Sequence, residues 1–400
     1  MTGFTFIDLF CGAGGCSLGF IEAGFEGVFA ADHDKNAVQT YQLNLGDHVR
    51  CIDITDQISL PYADVIVGGP PCQGFSSAGL RRLHDHRNAL IRVFAQLVAR
   101  IKPKAFVFEN VEGFLTIENG SLLFDLLDPL IASGYRIHLR KLNAANYGVP
   151  QNRKRIVVIG GLGWDPTFPE PTHHAFGAPG VAKAFHHLPP CPTLADALEG
   201  LPQPALAPPG EPQGHVAREI SLLDRQRIEF LQPGQSMKDL PSSLWHESYR
   251  RRAFRRVRDG TPSERRGGAP FGLRRLRADQ PAGTITSGAL TEFVHPSEHR
   301  FLTLRECARI QSFPDQFVFV GSNTACMLQI ANAVPPLLSR IIAMSLLRDL
   351  QVGRYLEVIS QGALISFVPT IADGMSPVLQ RVDMMIRNRY ALQEQLSLWP

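Results

Sequence analysis

The first 160 residues alternate short apolar runs with segments of helical periodicity. Apolar positions at 90, 91, 94, 97, 98 and 101 recur every three or four residues, which predicts an amphipathic helix. Short apolar runs predict strands at 4–9, 28–31, 64–67, 105–109 and 156–160. This alternation of strand and helix predicts an α/β fold, with a Rossmann-like domain built on a mostly parallel sheet and helices on both faces.

The pattern changes after Trp164. Residues 165–215 are rich in Pro, Gly, His and Ala and lack sustained periodicity, so we expect them to lead into a second module. Helical periodicity returns at 304–311 and 327–347, and a docked helix is predicted within 377–396. We therefore predict an α/β domain that starts at 1–175, a second, smaller domain at 176–300, and a return to the first domain at 301–400.

Composition narrows the class of protein. Apolar residues make up 44% of the chain, which suffices for packed cores, and no apolar run reaches the roughly 18 residues of a membrane span. The N-terminus lacks the basic start of a signal peptide, and the seven cysteines include no C-x-x-C pair. We therefore expect a cytoplasmic protein with free thiols and no metal site.

Positive charge is concentrated in one segment. The formal net charge is only +3, yet residues 250–279 contain eleven arginines and three acidic residues. A cluster of arginine without lysine suits contacts to phosphates and guanine edges, which indicates nucleic-acid binding. A merely basic surface is the competing interpretation.

A glycine-rich stretch, Asp8-Leu-Phe-Cys-Gly-Ala-Gly-Gly15, follows the first predicted strand and precedes a helical pattern. Glycines let the backbone approach a ligand, and free amides at a helix N-terminus attract a carboxylate or phosphate. Asp32 and Asp53 follow in later loops, where acidic side chains can bind ribose hydroxyls or an adenine amino group. The spacing departs from G-x-G-x-x-G, so the set predicts S-adenosylmethionine rather than a dinucleotide. Both aspartates are alternatively ordinary turn or cap residues.

Cys72 follows the third predicted strand and stands directly after two prolines, which restrict the backbone and hold the sulfur in place. Glu109 ends the fourth strand as a partly desolvated acid that can donate a proton, and Arg153 and Arg155 precede the fifth. A thiolate, an acid and an arginine suit addition of sulfur to C6 of a pyrimidine, which makes C5 nucleophilic towards a methyl donor. A core thiol and a structural acid are the competing interpretations.

These residues belong to seven blocks that resemble, in order, those of the DNA (cytosine-5) methyltransferases over most of residues 4–347. The blocks are Asp8-Leu-Phe-Cys-Gly-Ala-Gly-Gly15, Gly69-Pro-Pro-Cys-Gln-Gly-Phe-Ser76, Glu109-Asn-Val111, Gln151-Asn-Arg-Lys-Arg155, Arg277-Ala-Asp-Gln-Pro-Ala-Gly-Thr-Ile-Thr286, Leu304-Arg-Glu-Cys-Ala-Arg-Ile-Gln-Ser-Phe-Pro314 and Gln329-Ile-Ala-Asn-Ala-Val-Pro-Pro336. The resemblance implies a Rossmann-like S-adenosylmethionine-dependent methyltransferase domain with a second, smaller target-recognition domain, encoded by a bacterium or phage.

The resemblance also implies roles for single residues. Cys72 would be the nucleophile, Glu109 the partner of ring N3, and Arg153 with Arg155 would steady the base. The cofactor would be bound by Asp8, Phe10, Gly12, Gly14, Asp32, His33, Asp53, Ile54, Pro70 and Asn332. Two positions depart from the family pattern. At position 33, where this chain has His33, the family often has a bulky side chain that stacks on adenine. Ala331-Asn-Ala333 stands where the family usually has Gly-Asn-Ser or Gly-Asn-Ala.

A target cytosine within a duplex must be flipped out of the stack, so the resemblance implies double-stranded DNA as the substrate. Residues 165–276 would form the target-recognition region, and 74–87 a loop that closes behind the base. DNA contacts are predicted for Gln73, Ser77, Arg81, Arg82, Arg251, Arg252, Arg255, Arg256, Arg274 and Arg275. We expect a monomer on DNA, with a cognate restriction endonuclease as a functional rather than physical partner.

Two alternatives remain. A tRNA cytosine-5 methyltransferase of the same fold would share the chemistry, although Gly74-Phe-Ser-Ser77 and the long arginine-rich region favour DNA. A catalytically silent DNA-binding relative or a nicotinamide oxidoreductase would be of another class. The intact catalytic trio of Cys72, Glu109 and Arg153 argues against the first, and the glycine spacing argues against the second.

Overall fold

The computed structural model describes residues 3–71, 89–175, 187–206, 212–250, 272–359, 361–369, 375–390 and 392. The chain divides into two compact units, residues 1–191 with 333–400, and residues 192–332. The sequence predicted the smaller domain at 176–300, so both boundaries of the second unit lie later in the chain than expected. The helical pattern at 304–311, assigned to the first domain from the sequence, belongs to the second unit.

The strands and helices are named in chain order. The strands are β1 (Thr5–Leu9), β2 (Glu26–Asp32), β3 (Val49–Cys51), β4 (Val65–Gly68), β5 (Ala105–Asn110), β6 (Tyr135–Asn143), β7 (Gln151–Asn152), β8 (Lys154–Leu162), β9 (Arg274–Arg275), β10 (Ala282–Gly283), β11 (Phe293–Val294) and β12 (Ala363–Val368). The helices are α1 (Gly15–Ala23), α2 (Lys35–Leu45), α3 (Ala89–Ile101), α4 (Ser121–Ala132), α5 (Leu194–Leu198), α6 (Leu222–Phe230), α7 (Ala289–Glu292), α8 (Leu304–Ile310), α9 (Asn323–Asn332), α10 (Pro336–Gln351) and α11 (Pro377–Tyr390). Short 3₁₀ helices occupy Glu112–Leu115, Ile117–Gly120, Ala144–Tyr147, Met237–Asp239, Ser242–Leu244 and Arg354–Leu356.

The first unit is built on an eight-stranded sheet with the order β12-β6-β8-β5-β4-β1-β2-β3. Every neighbouring pair is parallel except the two that include β8, which runs antiparallel to both β5 and β6. All five predicted strands are present with bounds that differ by a few residues, and the predicted helix is α3. The mostly parallel sheet is therefore confirmed, while β3, β6 and β12 were not predicted.

Apolar side chains cover both faces of this sheet. Neighbouring residues of a strand point to opposite faces, so Ile7 lies in a buried cluster with residues of α3, α4 and α11, whereas Phe6 lies in the cluster formed with α1 and α10. Each buried side chain of this size stabilises the fold by roughly 1.5–3 kcal/mol. The predicted C-terminal helix is confirmed as α11, which buries Leu379, Val382 and Ile386.

The second unit has its own smaller core. Its described part buries a cluster contributed by α6, the segment that follows it, β11, and single residues before β9 and after β11. The members of this cluster are Ile228, Leu231, Met237, Leu240, Tyr249, Leu273, Val294 and Phe301.

One helical stretch within the described ranges, Asn323–Gln351, is long and apolar enough to pass a length-and-hydropathy test for a membrane span. Half of its most apolar window is buried inside the protein, and core helices pass the same test. The stretch is divided between α9 and α10, on either side of Pro335.

Candidate active site

The strand directions bring the predicted site residues to one edge of the sheet. β1, β2, β4 and β5 are parallel, so their carboxyl ends lie side by side. Because β8 runs the other way, the start of β8 lies at this same edge, next to the end of β5. Ligands of open α/β sheets bind outside the carboxyl ends of the strands, which makes this edge the candidate site.

The glycine loop between β1 and α1 is shaped by left-handed backbone conformations. Phe10, Gly12 and Gly14 have φ angles of 62°, 53° and 91°. A Cβ at Gly14 would lie 2.4 Å from Leu45 Cδ1 and 2.8 Å from Tyr41 Cδ2, so the loop rests directly on α2. A Cβ at Gly12 would meet no atom within 4 Å, so the loop borders open space at the N-terminus of α1.

Asp32 anchors this loop to the end of β2. Its carboxylate accepts hydrogen bonds from the backbone amides of Gly12 and Asp34, both at 2.9 Å. The side chain of His33 is 72% exposed, with Nδ1 3.4 Å from Asp32 Oδ1. Asp32 therefore has a structural role at the predicted cofactor edge, and its predicted contact with the cofactor stays a prediction.

The other predicted cofactor residues differ in accessibility. Asp53 is exposed after β3, and Ile54 beside it is buried. Asn332 is exposed at the last residue of α9, in the second unit, and its predicted role stays a prediction.

Asp8 lies beneath the glycine loop rather than on its surface. Only 1% of the residue is exposed, and its carboxylate accepts a hydrogen bond from Ser17 Oγ at 2.6 Å. Burial raises the pKa of Asp8 from its ordinary value near 3.8 to about 7, while the bond from Ser17 acts in the opposite direction. This position corrects the direct cofactor contact predicted for Asp8.

The segment that leads to Cys72 is held from β5. Pro70 is buried, and its carbonyl accepts a hydrogen bond from Asn110 Nδ2 at 3.1 Å. A Cβ at Gly69 would lie 3.4 Å from Glu109 Oε2, an ordinary van der Waals distance, so the segment passes directly beside the carboxylate. Cys72 lies outside the described residues, as do the predicted DNA contacts Gln73, Ser77, Arg81 and Arg82.

Glu109 and Arg155 form a largely buried ion pair. Arg155 Nε lies 2.8 Å from Glu109 Oε1, and the two side chains are 12% and 15% exposed. Burial lowers the pKa of the Arg155 guanidinium from its ordinary value, and the charge of Glu109 opposes that effect. Two residues that the sequence assigned to one site are thus in direct contact.

Arg153 is held by the backbone around it. The residue is 1% exposed, and its Nη2 donates to the carbonyl of Ala333 at 3.0 Å. Its amide donates to Asn143 Oδ1, which also accepts from the amide of Ala145. Burial lowers the pKa of Arg153 well below its ordinary value, and the positive charge of Arg155 acts in the same direction. Sequence reasoning missed Asn143, which no motif marked.

The second unit gives the two predicted DNA-binding arginines of β9 different surroundings. Arg274 is half-buried. Arg275 is 3% exposed, and its guanidinium donates to four backbone carbonyls, those of Ile228, Leu231, His295 and Glu298, at 2.7–2.8 Å. Arg275 is therefore a structural arginine, which corrects the predicted DNA contact. Arg251, Arg252, Arg255 and Arg256 lie outside the described residues.

Chemically, this edge offers an open glycine loop and a fixed carboxylate–guanidinium pair. Within the ranges that the structure describes, no group of three or more His, Cys, Asp or Glu side chains is placed to hold a metal ion. The described groups thus suit the binding of a polar organic ligand and hydrogen bonding to a base.

Comparisons with known proteins identify the family. The family model for C-5 cytosine-specific DNA methylase matches residues 4–348. The Type II methyltransferase M.AgeI of Thalassovita gelatinovora is 33% identical over 420 residues, covering 84% of this chain and 97% of that protein. M1.HphI of Haemophilus parahaemolyticus is 35% identical over 357 residues, covering 86% and 87%.

A solved structure supports the fold. A candidate DNA modification methyltransferase encoded within an E. coli prophage has a TM-score of 0.64 at 24% identity, over 87% of this chain and all of that one. The resemblance inferred from the seven sequence blocks is confirmed, and so is the predicted fold class. The chain belongs to the C-5 cytosine-specific DNA methylase family.

Proposed function

We propose that the chain transfers a methyl group from S-adenosyl-L-methionine to C5 of a cytosine flipped out of duplex DNA, by way of a covalent bond between Cys72 and C6 of the base. The observation that carries the proposal is the Glu109–Arg155 pair beside Gly69, because Gly69 leads through two prolines into Cys72. The family description, a DNA methylase specific for C-5 of cytosine, supports the reaction.

The residues of the glycine loop fit an adenosine-containing ligand with an amino-acid tail. Gly12 borders open space at the N-terminus of α1, where free amides favour a carboxylate. Asp32 uses two of the roughly four acceptor positions of a carboxylate on backbone amides, which leaves others for ribose hydroxyls. The exposed side chains of His33 and Asp53 would contact the adenine. When bound, S-adenosylmethionine supplies an electrophilic methyl group. Phe10, Gly14, Ile54 and Pro70 are proposed to complete the lining.

The protein's own residues would activate the base. The Cys72 thiolate adds to C6, the sulfur–carbon bond forms, and the electrons of the C5–C6 double bond move to C5 as N3 takes up a proton. Arg155 holds Oε1 of Glu109, so Oε2, which faces Gly69, is the oxygen left for N3. After C5 is methylated, the C5 proton is lost to water, the thiolate is expelled and N3 gives up the proton it gained, which restores the neutral ring and frees Cys72.

DNA recognition is assigned mainly to the second unit, which would be the target-recognition domain, with further contacts from residues 73–82 of the first unit. The residues proposed to contact DNA are Gln73, Ser77, Arg81, Arg82, Arg251, Arg252, Arg255, Arg256 and Arg274. The relatives M.AgeI and M1.HphI are Type II methyltransferases, which supports a restriction–modification setting with a cognate endonuclease that acts on the same sequence. We propose that the enzyme works in the cytoplasm and as a monomer on DNA.

A mechanism-based trap tests the covalent step. Bisulfite sequencing of DNA from cells that express the chain first identifies the methylated sequence. A duplex with 5-fluorocytosine at that position should then give a denaturation-resistant adduct, since fluorine at C5 cannot leave as a proton does. Cys72→Ala should abolish the adduct, whereas Cys51→Ala, which removes an exposed thiol, should retain it.

Two outcomes would overturn the proposal. The covalent route fails if wild-type protein forms no adduct on a confirmed site with cofactor present, or if Cys72→Ala still methylates DNA. Methylation of tRNA without methylation of duplex DNA would instead establish the RNA-modifying alternative.

A further inference from the structure

A line of three hydrogen bonds runs beneath the glycine loop from buried Asp8 towards the surface. Ser17 Oγ donates to Asp8 at 2.6 Å, and the Tyr41 hydroxyl donates to Ser17 Oγ at 3.0 Å. Nε2 of His48 lies 2.8 Å from the Tyr41 hydroxyl. Since Ser17 and Tyr41 each have one proton to donate, a charged Asp8 requires His48 to donate from Nε2. The line ends at a half-buried imidazole that solvent can reach.

The same residues support the backbone of the loop. Gly14 rests on the Tyr41 ring, where any Cβ would approach within 2.8 Å, and Ser17 lies in the first turn of α1. A Cβ at Gly27 would lie 2.6 Å from His48 Nε2, so this glycine makes room for the imidazole on β2. The hydroxyl of Tyr41 thus fixes a ring that the glycine loop contacts at Cδ2 and Cε2.

At the buried end of the line, the charge of Asp8 depends on pH. Burial, and to a lesser extent the nearby charge of Asp32, raise the pKa of Asp8 to about 7, against the lowering effect of the hydrogen bond from Ser17. The other titratable groups that face Asp8 are the thiols of Cys11 and Cys16 and the phenol of Tyr41, and burial raises the pKa of each of these. Burial lowers the pKa of His48. With a pKa of about 7, Asp8 changes charge near neutral pH.

We propose that Ser17, Tyr41 and His48 are positioning residues that act through Asp8 to hold the glycine loop in its cofactor-binding shape. This inference rests on the proposed use of S-adenosylmethionine. None of the four side chains needs to touch the ligand. Their effect is on the position of Gly12, Gly14 and the first amides of α1.

Replacement of Tyr41 by Phe keeps the ring under Gly14 and removes only its hydroxyl. Calorimetric titration with S-adenosylhomocysteine should give a Kd raised by about tenfold, the equivalent of one net hydrogen bond. KM for the methyl donor should rise in parallel, while kcat at saturating donor changes by less than about twofold. Tyr135→Phe is the matched control, because Tyr135 is equally buried and its hydroxyl donates to the Pro103 carbonyl at 2.8 Å, away from the loop.

The control separates a positioning role from a loss of stability. Tyr135→Phe should lower the melting temperature without changing the Kd for S-adenosylhomocysteine. The inference is overturned if Tyr41→Phe binds as tightly as wild type, or if both variants weaken binding equally. Wild-type protein that fails to bind S-adenosylhomocysteine would refute the proposed function instead, so the two failures are distinguishable.

A pH profile supplies a second readout. Affinity of wild type for S-adenosylhomocysteine should fall as the pH rises through about 7, because Asp8 becomes charged beneath the loop that receives the ligand carboxylate. Asp8→Asn should remove this dependence, and Ser17→Ala should move its midpoint to higher pH because the carboxylate loses a donor. A flat wild-type profile, or one that Asp8→Asn and Ser17→Ala leave unchanged, would contradict the role of the line.

Discussion

Replacement of Arg155 by Met tests whether the ion pair fixes Glu109 in the site. The change removes the guanidinium 2.8 Å from Glu109 Oε1 and leaves the carboxylate in place. The two side chains are only 12% and 15% exposed, so water screens the charges weakly. Removing one partner of a buried pair costs about 3–5 kcal/mol, and the residual exposure here favours the lower value, about 3 kcal/mol.

An exposed pair in the same unit provides the matched control. Arg92 lies 2.9 Å from Asp125, with side chains 61% and 32% exposed, so the chemistry and distance are equivalent but solvent screening is much stronger. Arg92→Met should therefore cost less than about 1 kcal/mol. Urea unfolding of each variant, followed by far-UV circular dichroism, measures both costs.

A double-mutant cycle isolates the interaction itself. Arg155→Met, Glu109→Gln and the double variant should give a coupling of at least about 1 kcal/mol, because each single change leaves the other group without its charged partner. The reasoning is refuted if Arg155→Met costs no more than Arg92→Met, or if the coupling is below about 0.5 kcal/mol. In either case Arg155 would not be the group that fixes Glu109 in the site.

Two further changes test the packing of the first unit, one between neighbouring strands and one between two helices. His138 on β6 lies 2.7 Å from Ser366 Oγ on β12, and burial lowers its pKa from 6.5 to about 4, so its contribution is complete above pH 6.5 and lost as the pH falls towards 4. This loss should be roughly 3 kcal/mol in wild type and absent in His138→Gln, and equal pH dependence of their urea midpoints would contradict it. A Cβ at Gly19 would lie 2.5 Å from the backbone of α10, so Gly19→Ala should destabilise the protein by about 3 kcal/mol. Gly3→Ala, whose Cβ has no neighbour closer than 3.9 Å, should cost under about 0.5 kcal/mol; equal melting temperatures for the two variants would refute the packing argument.

Three of the five strands that sequence reasoning found are buried on both faces. β1, β4 and β5 each present nearly continuous apolar runs, as expected for central strands of a parallel sheet. β6 alternates apolar residues with Arg136, His138 and Arg140. This period-two pattern predicts a strand, but a search for continuous apolar runs does not detect it. β3 has three residues, too few for any periodic signal.

The arginines of the second unit show that a count of charged residues does not predict which arginines are free to contact DNA. Arg274 and Arg275 are neighbours on β9, and consecutive side chains of a strand point to opposite faces. One of the two therefore had to point inwards, where only a guanidinium with several donors could satisfy four carbonyls at once. Composition places both residues in a basic cluster, but only the strand geometry separates the structural arginine from its neighbour.

The direction of β8 explains why the catalytic motifs converge. The order of the motifs along the sequence does not predict this direction. Glu109 at the end of β5 pairs in register with Val157, so Arg155, two residues earlier, lies beside the carboxylate. If β8 were parallel to β5, its first residues would lie at the opposite edge of the sheet, about 20 Å away for a strand of six residues. The prediction of a mostly parallel sheet was right for the other strands, yet the site depends on the one that is antiparallel. The carboxylate of Glu109 and the guanidinium of Arg155 meet because β8 runs antiparallel to β5.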